Sequence, residues 1–157
     1  MRPDIPKPFG ITGICWVKFM RNLQTLGHAE AQLALQTIVD ELTRRGKAAT
    51  IVVADAHGEL LAFLRMDGAK LSTIKIAINK AYTAARERRP TREIGQKAAQ
   101  DPTFDIAFYG DSHYVGWGGG LPVLVDGACV GSVAVSGLPE VEDMEVAALG
   151  VQVITSA

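Results

Sequence analysis

Only two cysteines, Cys15 and Cys129, occur in the 157 residues, and they lie too far apart for a disulfide framework or a CxxC metal motif. Both read as small buried hydrophobes. No apolar run approaches the roughly eighteen residues that a membrane-spanning helix needs. The stretch from Ile11 to Val17 ends at Lys18 without a small-residue cleavage site, so the expected location is the cytoplasm and no membrane partner is expected. Neither sign of charge is in excess: the formal net charge is −1. That balance gives no reason to expect nucleic acid or a membrane surface as a partner. The three histidines, His28, His57 and His113, are too scattered to hold zinc by spacing, and no HExxH pair occurs.

Hydrophobic residues make up 48% of the chain, enough for one domain around a single core. Residues 1–19 differ in style, with Pro3, Pro6 and Pro8 close together ahead of an apolar patch that includes Trp16. They read as an N-terminal arm or extension, with the domain proper at 20–157.

From Gly27 the pattern becomes periodic. Ala31, Ala34, Leu35, Ile38, Val39 and Leu42 recur at helical spacing, and Gly46 stops the helix after Arg44 and Arg45. Thr50 to Ala54 and Glu59 to Leu64 read as two strands of a hairpin turned by Asp55-Ala56-His57-Gly58. A long second helix follows, capped by Ser72 or Thr73, with Ile74, Ala77, Ile78, Ala81 and Ala85 inward and Lys75, Asn79, Tyr82 and Arg86 on the other stripe. Pro90 ends it, and Thr91 is placed to cap a short third helix that closes before Asp101-Pro102. Leu121 to Val125 and Cys129 to Val135 form a second hairpin through Asp126-Gly127. A last helix starts at Glu140 with acidic residues where the helix dipole favours them, and turns Val141, Met144, Ala147, Ala148 and Val151 inward. Strands joined by hairpins with helices segregated between them indicate an α+β domain around an antiparallel sheet.

Two places carry candidate chemistry. The turn Arg65-Met66-Asp67-Gly68-Ala69 sets an arginine, a carboxylate and backbone N–H groups beside the positive end of the second helix, a ready anion site or else a salt-bridged helix start. The aperiodic segment from Thr103 to Gly120 holds Phe104, Phe108, Tyr109, Tyr114 and Trp117, half of the ten aromatics, and ends in Trp117-Gly118-Gly119-Gly120. It suits a core cover, a ligand lid or a subunit contact. Ser72 and Lys75 match a Ser-x-x-Lys spacing, but the other motifs of penicillin-recognising enzymes are missing. The basic cluster Arg86, Arg88, Arg89, Arg92 and Lys97 and the acidic cluster Glu140, Glu142, Asp143 and Glu145 read as solvated helix ends or a subunit contact.

Taken in order, Val53-Ala54-Asp55, the Gly58 turn, Ala62 to Ala69, Ser72, Lys80-Ala81-Tyr82-Thr83-Ala84, Pro90-Thr91, Gly118-Gly119-Gly120-Leu121-Pro122 and Val135-Ser136-Gly137 with Asp143 resemble the GlcG and HbpS family. This is the haem-degrading domain, also found as the C-terminal part of PduO-type cobalamin adenosyltransferases. The resemblance implies a profilin-like three-layer α/β/α sandwich with an antiparallel sheet, assembled as a homo-oligomer, a dimer or an octamer. It also implies a small-molecule ligand, haem or another tetrapyrrole in some members.

For this chain the resemblance frames three readings. In a binding protein, Arg65 and Lys75 or Lys80 neutralise propionates, His113, Tyr114 or Met66 supplies an axial donor, and Gly68, Ser72, Tyr82, Trp117, Gly118, Gly119 and Gly120 complete the site. In a small catabolic enzyme acting on an organic acid, Arg65 clamps a carboxylate while Asp67, Lys75 or Lys80 serves as acid or base. In an accessory subunit the same motifs only build interfaces.

Overall fold

The computed structural model describes residues 22–156, so the proposed arm, Cys15 and Trp16 lie outside the described residues. Four helices and four strands follow the order α1 (His28–Arg44), β1 (Thr50–Asp55), β2 (Leu60–Arg65), α2 (Thr73–Glu87), α3 (Thr91–Gln100), β3 (Gly120–Val125), β4 (Ala128–Ser136) and α4 (Glu140–Thr155). A short 3-10 turn, Ile106–Tyr109, interrupts the aperiodic segment.

The strands form one antiparallel sheet in the order β2-β1-β4-β3. Each hairpin is therefore intact, and the two meet through β1 and β4, where Val52 pairs with Ala134 and Thr50 with Ser136. The Asp126-Gly127 hairpin has both residues at positive φ, 50° and 78°, as a type I′ turn requires.

Side chains alternate across the central strands and create two unlike faces. Ile51, Val53, Val133 and Val135 point to α1 and α4, where they meet Ile38, Leu42 and Val146 in the main core. Each such burial is worth about 1.5–3 kcal/mol. α1 and α4 cross closely at Gly150, where a Cβ would stand 2.7 Å from Ile38 Cδ1. The opposite face is built from small residues, Ala54 and Ala134 against Ala77 and Ala81, so α2 lies close to the sheet. The result is the expected α/β/α sandwich.

Several local expectations change. Ser72 has helical backbone angles and makes no capping bond. The Thr73 hydroxyl instead bonds Lys70 O at 2.6 Å and meets Thr50 Oγ1 at 2.7 Å. Thr91 does not cap α3 and is wholly buried. On α2, Lys80, Thr83 and Ala84 are buried while Ile74 and Ile78 are only partly so. On α4, Val141 and Ala148 face solvent and Asp143 is buried. Polar residues displace apolar ones because the inner stripes of α2 and α4 run past the sheet into a shared polar contact. Cys129 is half-buried, its thiol near Ala85 O at 3.5 Å and Gly131 O at 3.4 Å, and burial pushes its pKa up.

Candidate functional site

Lys80 lies on the inner stripe of α2, and its ammonium reaches across the end of β4 to α4. Lys80 Nζ donates to Asp143 Oδ2 at 2.9 Å and to Val135 O at 3.0 Å, and the two side chains are only 3% and 4% exposed. The other carboxylate oxygen accepts from Leu138 N at 3.0 Å. One ion pair thus ties α2, β4 and the turn into α4 together. Burial pulls the Lys80 ammonium below its usual range, with Asp143 opposing, and pushes the Asp143 carboxyl up, with Lys80 opposing.

The glycine run lies directly over this pair. Gly119 has φ +118°, and a Cβ there would come 2.6 Å from Val135 O and 2.8 Å from Lys80 Nζ. Only glycine fits both the angle and the space. Thr91 anchors the run: its hydroxyl donates to Trp117 O at 2.6 Å and accepts from Gly120 N at 3.1 Å. Glu140 Oε1 accepts from Gly118 N at 2.6 Å, and its other oxygen pairs with Arg92. Arg92–Glu140 is thus the one pair linking the basic and acidic clusters among the described residues, while Glu142 and Glu145 pair with Lys47 and Arg45 beyond the end of α1.

A cavity of about 310 Å³ opens above the pair, bounded by the starts of α2 and α4, with Lys70, Thr73, Lys80, Trp117, Ser136 and Asp143 in its wall. A shallower groove of about 600 Å³ runs beside it along α3, lined by Arg92, Gly95, Ala98, Ala99, Ile106 and Trp117. Trp117, 64% exposed, and Glu140 border both.

The residues singled out in the sequence fall into three places. Lys80, Trp117 and Gly118 come together at this cleft, with Gly119 and Gly120 behind them. Tyr82, His113 and Tyr114 gather elsewhere: Tyr82 Oη donates to Asp111 Oδ2 at 2.6 Å, His113 Nδ1 meets Asp111 Oδ1 at 2.6 Å, and Tyr114 stacks on Tyr109 with 4.1 Å between centroids. Arg86 covers the Tyr82 ring at 4.0 Å. Arg65, Met66, Asp67, Gly68, Ser72 and Lys75 line neither cavity. Arg65 bonds Ala69 O across its own turn at 3.3 Å, Met66 packs on the main core, and Asp67 makes no ion pair among the described residues. Lys70, Thr73, Arg92, Ser136, Glu140 and Asp143 also line the cleft, with Thr91 buried behind it, and were missed as site residues. They come from separate elements, so no local pattern could announce them.

A family model described as haem degrading protein HbpS-like matches residues 26–152. The chain belongs to the HbpS-like family. Protein GlcG of Escherichia coli K12 is 36% identical over 117 residues, 74% of this HbpS-like chain and 85% of that protein. The crystal structure of Klebsiella pneumoniae protein ORFY superposes with a TM-score of 0.82 at 26% identity, over 90% of this chain and 98% of that one. A crystallised PduOC:heme complex superposes at 0.74 over 82% of this chain and 94% of that one, and its 23% identity bears on the fold alone.

The residues present do not fit an iron-coordinated haem within one chain. Among the described residues neither cavity is walled by histidine, cysteine, methionine or tyrosine, and His113 and Tyr114 line neither.

Proposed function

We propose that this HbpS-like protein binds a small molecule in the cleft that Trp117 borders, above the Lys80–Asp143 pair. One observation carries the reading: a polar cavity and an apolar groove meet at one exposed indole. Their sizes fall within the roughly 300–1,000 Å³ of ordinary ligand sites. Trp117 offers a flat stacking surface, and Lys70 and Arg92 supply cations to either side. Haem is the finer reading that the family description and the PduO-type complex suggest. In this chain Trp117 and Arg92 are the residues of the groove along α3 that would face a macrocycle and a propionate.

The test is a hemin titration of the full chain followed at the Soret band, repeated with Trp117→Ala, Arg92→Ala and His113→Ala. Saturable binding lost in the first two places the macrocycle in the cleft, and loss in His113→Ala alone moves it to the aromatic cluster. The spectrum of free hemin throughout removes haem. If a panel of small organic acids also fails to bind, the binding reading itself falls.

A catalytic reading has one observation of its own. Burial moves the Lys80 and Asp143 pKa values towards each other, as in groups that exchange protons with a substrate. Turnover of an organic acid, abolished in Lys80→Met, would establish it. The arm at 1–19, oligomeric assembly and cytoplasmic residence remain part of the proposal; among the described residues no helix is long and apolar enough to cross a membrane.

A further inference from the structure

Seven of the eight buried polar side chains are partnered. Thr50 meets Thr73, Thr83 donates to His113 O, Thr91 to Trp117 O, Ser132 to Ala81 O, and Lys80 pairs with Asp143. Ser136 is the exception: it is 4% exposed, and its hydroxyl bonds nothing among the described residues. Among the described residues no fully occluded side-chain oxygen or nitrogen lacks a partner, so the Ser136 hydroxyl keeps an opening, and the residue lines the 310 Å³ cavity. The sheet register sets it beside Thr50, on the α2 face where that cavity lies. A hydroxyl that opens onto a cavity and has no protein partner is free to bond a ligand there.

The charges around it favour an anion. Lys80 Nζ already bonds Val135 O, the carbonyl just before Ser136, and Asp143, which leaves the third N–H of its ammonium without a partner among the described residues. Both Asp143 oxygens are engaged, by Lys80 and Leu138 N, and Glu140 is neutralised by Arg92. Among the described residues Lys70 is left as the charge in the wall without an ion-pair partner. The starts of α2 and α4 also border the cavity, each adding the positive end of a helix.

We propose that this cavity is a carboxylate site: one oxygen accepts from Ser136 Oγ, the other from Lys80 Nζ, and Lys70 balances the charge. Ile76, Leu138 and Trp117 supply an apolar wall for the remainder of the ligand. The volume equals roughly ten water molecules, which selects a short-chain or single-ring acid. The inference rests on the reading that this cleft binds a ligand, and it names the ligand class.

Butyrate and benzoate, with butyramide and benzamide as uncharged isosteres, are titrated against the full chain by ligand-observed NMR. The acids are expected to bind saturably and the amides at least tenfold more weakly. Ser136→Ala is expected to weaken the acids about tenfold, the worth of one hydrogen bond to a charged group. Its melting temperature should hold or rise, because a partnerless hydroxyl contributes nothing to the fold. Lys70→Met is expected to weaken binding and flatten its salt dependence. Absence of saturable binding by both acids, equal binding of the amides, or unchanged affinity in Ser136→Ala overturns the proposal. Hemin binding without acid binding overturns it while leaving the small-molecule reading intact, and acid binding without hemin binding does the reverse for haem.

Discussion

Replacing Lys80 with methionine removes the ammonium but keeps most of the volume. Asp143, 4% exposed, then keeps only backbone N–H partners, those of Leu138 and Gly137, among the described residues, and Val135 O loses a donor. Breaking a buried pair by removing one partner costs about 3–5 kcal/mol, because the abandoned charge stays desolvated. Against a total of about 5–15 kcal/mol for a typical domain, that loss is large. At about 2–4 °C per kcal/mol it lowers the melting temperature by roughly 6–20 °C. The double variant Lys80→Met/Asp143→Leu removes the charge as well and should be no less stable than Lys80→Met alone, with the two single losses far from additive. Urea denaturation of the wild type, both single variants and the double variant closes the cycle. Acidification supplies a second check. Burial already raises the Asp143 carboxyl, and without Lys80 the main opposing influence is gone. A group whose folded pKa is raised contributes stability at low pH that is lost as pH rises through that pKa. Lys80→Met should therefore regain stability relative to the wild type as the pH falls below neutrality and Asp143 takes up its proton. A loss under about 1 kcal/mol, or strictly additive single losses, would refute the closed ion pair.

Gly119→Ala should cost on the order of 3 kcal/mol in urea denaturation, since a Cβ meets Val135 O and Lys80 Nζ at a φ that L-residues avoid; a loss below about 1 kcal/mol would show that the glycine run is not held as described. Thr91→Val keeps the shape but strips the hydroxyl from Trp117 O and Gly120 N, for a loss of about 1–3 kcal/mol and faster amide exchange at Gly120. The Asp111 carboxylate is held down to about 2 by Tyr82 Oη, then by the His113 backbone and ring, so its stabilising contribution is present above pH 4 and lost as pH falls through 2. Carbon-detected NMR should show that midpoint, and one near 4 would mean that the Tyr82–Asp111–His113 cluster does not form. Burial and Glu87 push Tyr109 up to about 12, so Tyr109→Phe should remove the last step of the ultraviolet tyrosine titration.

The sequence by itself determined the four α-helices and four strands of the described residues, but not the short 3-10 helix at Ile106–Tyr109. Helical repeats, β-branched runs and turn dipeptides are local signals, and a hairpin such as Asp126-Gly127 brings its own strands together. It also brought Lys80 and the Trp117 glycine run forward as candidates. It missed which polar residues turn inward, because a helix face that continues past a sheet looks the same in sequence as one that ends in solvent. Asp143 reads as a dipole-stabilising acid at a helix start, and only the packing of α4 beside β4 and α2 reveals a buried counterion 63 residues from Lys80. Thr91 reads as a cap for the same reason, and Ser136 enters only as part of the Val135-Ser136-Gly137 motif, with no role of its own. The Arg65 turn illustrates the converse. Its chemistry is strong in sequence, yet the β2 edge carries Arg65 away from the cavity that Lys70 and Thr73 line. Local periodicity fixes how each segment folds, but a site made by four segments exists only once the sheet order has placed them.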